Sequence, residues 1–199
     1  MKPIHNAVTF KPERPGNVFL DAGQILTGTT ETPLGQLTIA ATAQGVCLVE
    51  FSDRTILDKQ MASLRRCLGD EVEALPGENQ HLAQLRRELE EYFAGQRTRF
   101  EVALVYPGTD FQVAEWNLLL QIPYGETRSY AWAANQLGSP LAARAVGTCN
   151  GLNRISIIIP CHRLINKNGA LGGYGGGLWR KEWLLEHEHS GLLKAAGGS

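Results

Sequence analysis

Cysteine is scarce in this chain: Cys47, Cys67, Cys149 and Cys161 are the only four in 199 residues. So few, so widely spaced, do not make a disulfide scaffold. With no Cys-x-x-Cys pair there is no structural zinc signature either. Long hydrophobic runs are also missing, and nothing approaches the roughly 18 apolar residues of a membrane span. The leading segment MKPIHNAVTFKPERPGNVF carries charges and prolines where a signal peptide has an apolar core. These absences point to a reducing, cytoplasmic setting with free thiols and to no membrane partner. Net charge is almost absent too, at -1, which argues against a uniformly basic surface. What remains is ordinary globular composition, 43% hydrophobic and 20% charged, which excludes disorder over most of the chain.

One further absence hides inside the neutral total. From Ser129 to Lys181 there is no Asp or Glu, yet Arg144, Arg154, Arg163, Lys167, Arg180 and Lys181 all fall there. A segment with six cations and no anion suits contacts to phosphates, or else a solvated face whose partners lie elsewhere in the chain.

The hydrophobic pattern predicts an α/β (α+β) protein. Residues 1–24 read as an N-terminal arm. ILTGTTETPLGQLTIAATAQGVCLVEF reads as short strands broken at Pro33-Leu34-Gly35 and Gln44-Gly45, with Cys47 as a buried hydrophobe. Ile56, Leu57, Met61, Leu64 and Leu68 recur at helical spacing, as do Leu82, Leu85, Leu89 and Phe93, and FEVALVY is a strand candidate. These make a structural unit over 25–106. A second unit, 107–190, opens with a helix placing Phe111, Ala114, Leu118 and Ile122 on one face. Two short helices follow, SYAWAANQL with Ser129 as N-cap and LAARAVGTCN, around Gly138-Ser139-Pro140, an arrangement like a helix-turn-helix. RISIIIP reads as a buried strand, NKNGALGGYGGG as a Gly-rich loop, and LWRKEWLLEHEH as an amphipathic helix. Residues 191–199 read as a flexible tail.

Cys161 stands just past that buried segment, followed by His162 and Arg163. A thiol reacts as its thiolate, which a base or nearby positive charge favours. Neighbouring residues of an extended chain face opposite ways, so His162 would reach the sulfur through a water. It would need an orienting carboxylate, for which Glu182, Glu186 and Glu188 are candidates. On the tripeptide alone, a buried cysteine beside a surface histidine is the favoured reading. A cysteine hydrolase would call for a distant histidine facing the thiol; His81 and His187 are the available ones, without suitable flanking residues.

The longer string changes the balance. Ile159-Pro160-Cys161-His162-Arg163 resembles the signature of the O6-alkylguanine-DNA alkyltransferases (methylated-DNA–protein-cysteine methyltransferases). GTDFQ at 108–112, IPYGETRSY at 122–130, AARAVG at 142–147, Asn153, GGYGGG at 172–177 and KEWLLEHE at 181–188 resemble further family blocks, in the family's order. The resemblance implies a ribonuclease H-like N-terminal domain beside a mainly helical domain carrying a helix-turn-helix and an active-site loop. It implies DNA repair by a suicide methyltransferase. Cys161 would take the alkyl group irreversibly from O6-alkylguanine, and from O4-alkylthymine, in double-stranded DNA, without a cofactor. His162 would be the base, Glu188 its anchor, Arg163 a structural brace, and Asn153 the hinge to the helix-turn-helix. Tyr130 would assist guanine departure and, with Ser129, meet the DNA. Arg144 would replace the flipped nucleotide in the stack, with Ala142 and Ala143 letting the helix enter the minor groove. Leu164, Tyr174, Gly175 and Gly176 would form the guanine pocket. The implied protein is a monomer that can bind DNA cooperatively.

The chain departs from many relatives in having Arg154 where they have Pro, which adds a charge for phosphate, and Gly175 where they have Ser. The zinc ligands of some relatives have no counterpart set here, since His5 and His81 lack matching cysteines. Relatives that sense damage without repairing it carry Trp at the acceptor position, which Cys161 argues against.

Overall fold

The structure is a computed structural model that describes residues 23–69 and 72–197. The expected N-terminal arm therefore lies outside the described residues except for its last two. Strands β1 (Ile25–Thr30), β2 (Leu37–Ala41) and β3 (Val46–Phe51) form an antiparallel meander. The breaks fall at the Pro33–Gly35 and Gln44–Gly45 turns, as the Gly and Pro placement predicts. A short β4 (Ala74–Pro76), which no pattern in the sequence signals, pairs parallel to β1, giving the order β3-β2-β1-β4.

Two helices clothe this sheet. Leu64 of α1 (Leu57–Leu68) packs with Ile25, Ala40, Cys47 and Leu48 on one face. Leu82, Leu85 and Leu89 of α2 (Gln80–Phe93) cover Leu37, Ile39, Val49 and Phe51 on the other. The Asn79 side chain starts α2 by accepting from the His81 and Leu82 amides. Buried on both faces, Cys47 is an apolar filler, and burial pushes its thiol up to about 12.

The remainder is mainly helical: α3 (Asp110–Leu119), α4 (Tyr130–Gln136), α5 (Ala143–Gly151) and α6 (Leu178–Gly197). A two-stranded parallel pair, β5 (Arg128–Ser129) and β6 (Leu164–Ile165), accompanies them. Thr109 and Gln112 form a capping box at α3. The buried stripe of α3 is Glu115, Trp116 and Leu119 rather than the Phe111–Ala114–Leu118 face expected from spacing. Ser129 caps α4 by accepting from the Trp132 amide. The final helix runs to Gly197, so the expected flexible tail is helical as far as that residue.

The α2 face of the sheet shares one apolar core with the helical part, from Leu37 and Phe51 through Trp116 and Ile155 to Leu184. β3 is a sheet edge, and two irregular segments cover it. The Val46 amide donates to Ala103 and the Val105 amide to Val46, while the Val49 amide donates to Arg154 and the Ser156 amide to Val49. FEVALVY and RISIIIP thus each contribute one parallel bridge instead of a strand.

The departure at 154–160 has a local cause. Ile157 sits at φ 75°, where a β-branched residue is strained, and the chain turns back on itself there. The Ile159 amide donates to Ile155 (3.0 Å), and the Cys161 amide donates to Ile159 (2.8 Å). The Asn153 side chain supplies what a strand ladder would. Its Oδ1 accepts from the Ile155 amide (2.9 Å) and its Nδ2 donates to the Ile159 carbonyl (2.9 Å). Replacing it strands those buried groups, each worth roughly 1–3 kcal/mol when unpaired. Asn153→Ala should therefore lower unfolding free energy in urea by about 2 kcal/mol. A loss below about 0.5 kcal/mol, the size of an ordinary surface substitution, would mean that other contacts hold the turn.

Candidate active site

The turn delivers Cys161 to the start of a 3₁₀ turn, Cys161–Arg163, and not to an extended stretch. Successive side chains of such a turn diverge by about 120°, so His162 points away from the thiol for a different geometric reason than the one expected. Cys161 is 4% exposed. Asn153 Nδ2 lies 3.2 Å from its Sγ, and Asn150 Nδ2 donates to its carbonyl (3.1 Å). Burial pushes the thiol up to about 12, against the Asn153 hydrogen bond and the positive charge of Lys181, which favour the thiolate. At rest it is an SH group, and reaction requires that a base remove its proton.

His162 and Glu188 are fully buried, with Nε2 2.9 Å from Oε1. Burial pushes the imidazole below its ordinary value, more strongly than Glu188 raises it. Since the carboxylate accepts, Nε2 carries the proton and Nδ1 is left as a bare acceptor without a partner among the described residues. That is the protonation pattern of a general base. Burial raises the Glu188 carboxyl, but His162 and Arg163 outweigh it and hold the group well below the ordinary range. Arg163 donates to both carboxylate oxygens, each at 2.9 Å, and to the Ile122 carbonyl (2.6 Å). Tyr92 Oη donates to Oε1 (2.8 Å) and the Gly125 amide to Oε2 (3.0 Å). Gly125 has φ 73°, a conformation that suits glycine.

A pocket of about 520 Å³ adjoins the site through Asn150, which lines it and donates to the Cys161 carbonyl. Arg144, Ala143 and Asn150 of α5 meet Tyr130, Tyr174 and Gly175 around it. Tyr130 Oη donates to the Gly173 carbonyl (3.3 Å), with Lys181 Nζ 3.5 Å away. Lys181 is buried, donates to the Leu164 carbonyl, and is lowered to about 8 by burial. Arg144 is exposed, and Ala142 and Ala143 are half-buried at the start of α5. Two residues expected in the pocket stand behind its wall. Leu164 is fully buried with its carbonyl taken by Lys181, and Gly176 is buried against the Phe51 ring.

The cation-rich segment needs a larger correction. Of its six charges, four are buried: Arg154, Arg163, Arg180 and Lys181. Arg154 lies over the Trp116 ring and donates to Pro107 and Ser63, so it is not free for phosphate. Arg180 is paired with Asp53 (2.8 Å). Only Arg144 and Lys167 are exposed. Cation counting ignored that guanidinium and ammonium groups also serve as internal donors to carbonyls and carboxylates.

Sequence reasoning missed Tyr92, Gly125, Asn150 and Lys181. Tyr92 belongs to the first unit, 96 residues from the carboxylate it meets, and no local pattern announces it. Lys181 carried a usable signal, a cation directly before the core-facing stripe of α6. No helix among the described residues is long and apolar enough to cross a membrane.

Two family models match: the 6-O-methylguanine DNA methyltransferase ribonuclease-like domain over residues 25–106, and the DNA-binding domain of the same family over residues 110–190. The Mycobacterium tuberculosis methylated-DNA–protein-cysteine methyltransferase is 59% identical over 103 residues, 52% of this chain and 62% of that relative's length. The Mycobacterium leprae protein of the same name is 42% identical over 163 residues, 82% of this chain and 92% of its own. A crystal structure of Mycobacterium tuberculosis OGT in complex with DNA superposes with a TM-score of 0.70 at 42% identity, covering 84% of this chain and 94% of that one. This chain belongs to the 6-O-methylguanine DNA methyltransferase family.

Proposed function

We propose that this protein repairs O6-alkylguanine in double-stranded DNA by moving the alkyl group onto Cys161, once per molecule. The observation that carries the reading is a protonated, buried thiol next to a histidine whose free ring nitrogen is set up as a base by Glu188. His162 takes the Cys161 proton through a bridging water. The sulfur attacks the alkyl carbon, a C–S bond forms, and the O6–C bond breaks. Guanine leaves with the bonding pair and takes up a proton, with Tyr130 beside it as the donor. The thioether offers no leaving group for a second cycle, so the reaction consumes the protein and needs no cofactor.

Within a duplex the O6 atom faces the major groove, out of reach of a buried thiol, so the nucleotide must be turned out of the stack. The pocket of about 520 Å³ is of a size to take a base. Arg144 at its rim fills the gap left in the stack, and the small Ala142 and Ala143 allow α5 into the minor groove. O4-alkylthymine presents a similar alkyl carbon and fits the same scheme. A DNA repair role places the protein in the cytoplasm or on the nucleoid.

After incubation with O6-methylguanine duplex, the peptide containing Cys161 should gain about 14 Da, one methyl for one hydrogen, and no molecule should react twice. Repeated turnover, or a Cys161→Ala variant that still removes the methyl group, would end the reading.

Arg144→Ala should slow repair of duplex DNA by at least about 10-fold, an effect of roughly 1.4 kcal/mol, and leave reaction with free O6-benzylguanine nearly unchanged. Equal losses on both substrates would deny Arg144 its place in the stack.

The pH dependence has a defined sign. Because burial lowers the His162 pKa, the base form persists below the ordinary histidine value of about 6.5. The alkylation rate should hold from neutrality down through that value and fall only at lower pH. Glu188→Gln removes the group that raises the imidazole, so the midpoint should move lower still, while the maximal rate drops by about 10²-fold. A wild-type midpoint above about 6.5 would contradict this assignment.

A further inference from the structure

We propose that Arg54, in the N-terminal sheet unit, positions the wall of the substrate pocket through Gly175. This rests on the alkyl-transfer reading and adds to it a residue from the part of the chain in which sequence reasoning found nothing connected with the reaction.

Arg54 follows β3 and is anchored by Glu50, a fully buried carboxylate at the end of that strand. Glu50 is held on its other sides by Gln60 Nε2 (2.9 Å), the Phe51 amide (2.9 Å) and Ser156 Oγ (3.4 Å). Arg54 therefore extends from a fixed base. Its guanidinium lies against the pocket loop so closely that a Cβ at Gly175 would be 2.5 Å from Nη2 and 2.7 Å from Cζ. Gly175 is not among the glycines with positive φ, so its backbone accepts an L side chain. A side chain there would meet the guanidinium first, whose Nη1 is held by Glu50.

The same corner of the fold grips the loop at neighbouring points. A Cβ at Gly176 would lie 2.7 Å from the Phe51 ring. Arg180 stacks 4.0 Å over that ring and donates both to Asp53 and to the Gly176 carbonyl (3.0 Å). Tyr174 and Gly175 line the pocket between these supports. A planar guanidinium that is fixed at one end and pressed on backbone at the other acts as a strut. Its loss would let the loop move away without disturbing Cys161, His162 or Glu188, none of which it touches. Arg54 is thus a positioning residue for substrate capture.

The test compares Arg54→Ala, Gly175→Ala and the double variant. Apparent affinity for O6-benzylguanine is separated from the maximal alkylation rate, and hydrogen–deuterium exchange of the loop amides is followed in protein without substrate. Each single change should weaken affinity about 10-fold with the maximal rate within about twofold, since either one separates the same pair of groups. The double variant should be no weaker than the singles, and Tyr174–Gly176 should exchange faster in all three. Wild-type affinity in Arg54→Ala, losses that multiply to about 100-fold in the double variant, or a loss confined to the rate would overturn the proposal. The exchange arm separates the two ideas. Unchanged loop exchange in Arg54→Ala removes the strut whatever the chemistry, whereas faster exchange in a protein that never alkylates removes the alkyl-transfer reading alone.

Discussion

The carboxylate of Glu188 is the point on which the site depends. It is wholly buried and takes hydrogen bonds from Tyr92, Gly125, His162 and twice from Arg163. An ionised carboxylate in the interior is costly unless its lone pairs are filled, and here five donors fill them. Those donors come from α2, the turn after α3, and the 3₁₀ turn bearing Cys161, while Glu188 itself belongs to α6. One ion thus joins four segments. Each element must be in register for the charge to be tolerated, and the same contacts fix the tautomer of His162. Architecture and base chemistry are set by one interaction.

Burial acts in opposite senses on the groups around it. It raises the Cys161 thiol to about 12 and lowers His162. Both shifts favour neutral forms, so the resting site stores an SH group and an uncharged imidazole side by side in place of an ion pair. Such a site is quiet until substrate enters and the proton moves. Under the alkyl-transfer reading this is an advantage. A preformed, exposed thiolate would react with any electrophile or oxidant, and a protein that acts once has no means of recovery.

The sequence revealed these features unevenly. Helices α1, α2 and α6 and the β1–β3 meander were legible because each has a dominant period and Gly or Pro at its ends. Cys161, His162 and Arg144 stood out because they sit in two of several blocks that together resemble one family in order, AARAVG at 142–147 and IPCHR at 159–163. RISIIIP misled because β-branched residues favour strands only when a neighbour supplies a ladder, and here the Asn153 side chain takes that role around a turn at Ile157. The α3 face misled because Glu115 reads as polar yet is buried, with its carboxyl raised to about 8 by burial and approached by Cys149 Sγ at 3.4 Å. Tyr92 and Arg54 were out of reach in principle, since their meaning lies in partners far along the chain.

The charges of the Ser129–Lys181 segment lead to a more general point. Their segregation is real, but four of the six hold the fold together. Arg163 feeds Glu188, Arg180 ties the loop to Asp53, Lys181 holds the Leu164 carbonyl, and Arg154 secures the approach to the turn through Pro107. All four also satisfy carbonyls of irregular or linking backbone: Ile122 by Arg163, Leu34 and Gly176 by Arg180, Leu164 by Lys181 and Pro107 by Arg154. A site built on turns and loops needs such donors, because it lacks the ladders that pair regular elements internally. An acid-free, arginine-rich segment is therefore what a buried, loop-built site requires, before any phosphate is considered. Only Arg144 and Lys167 of the six remain exposed, so the segment's charge serves the interior more than the surface.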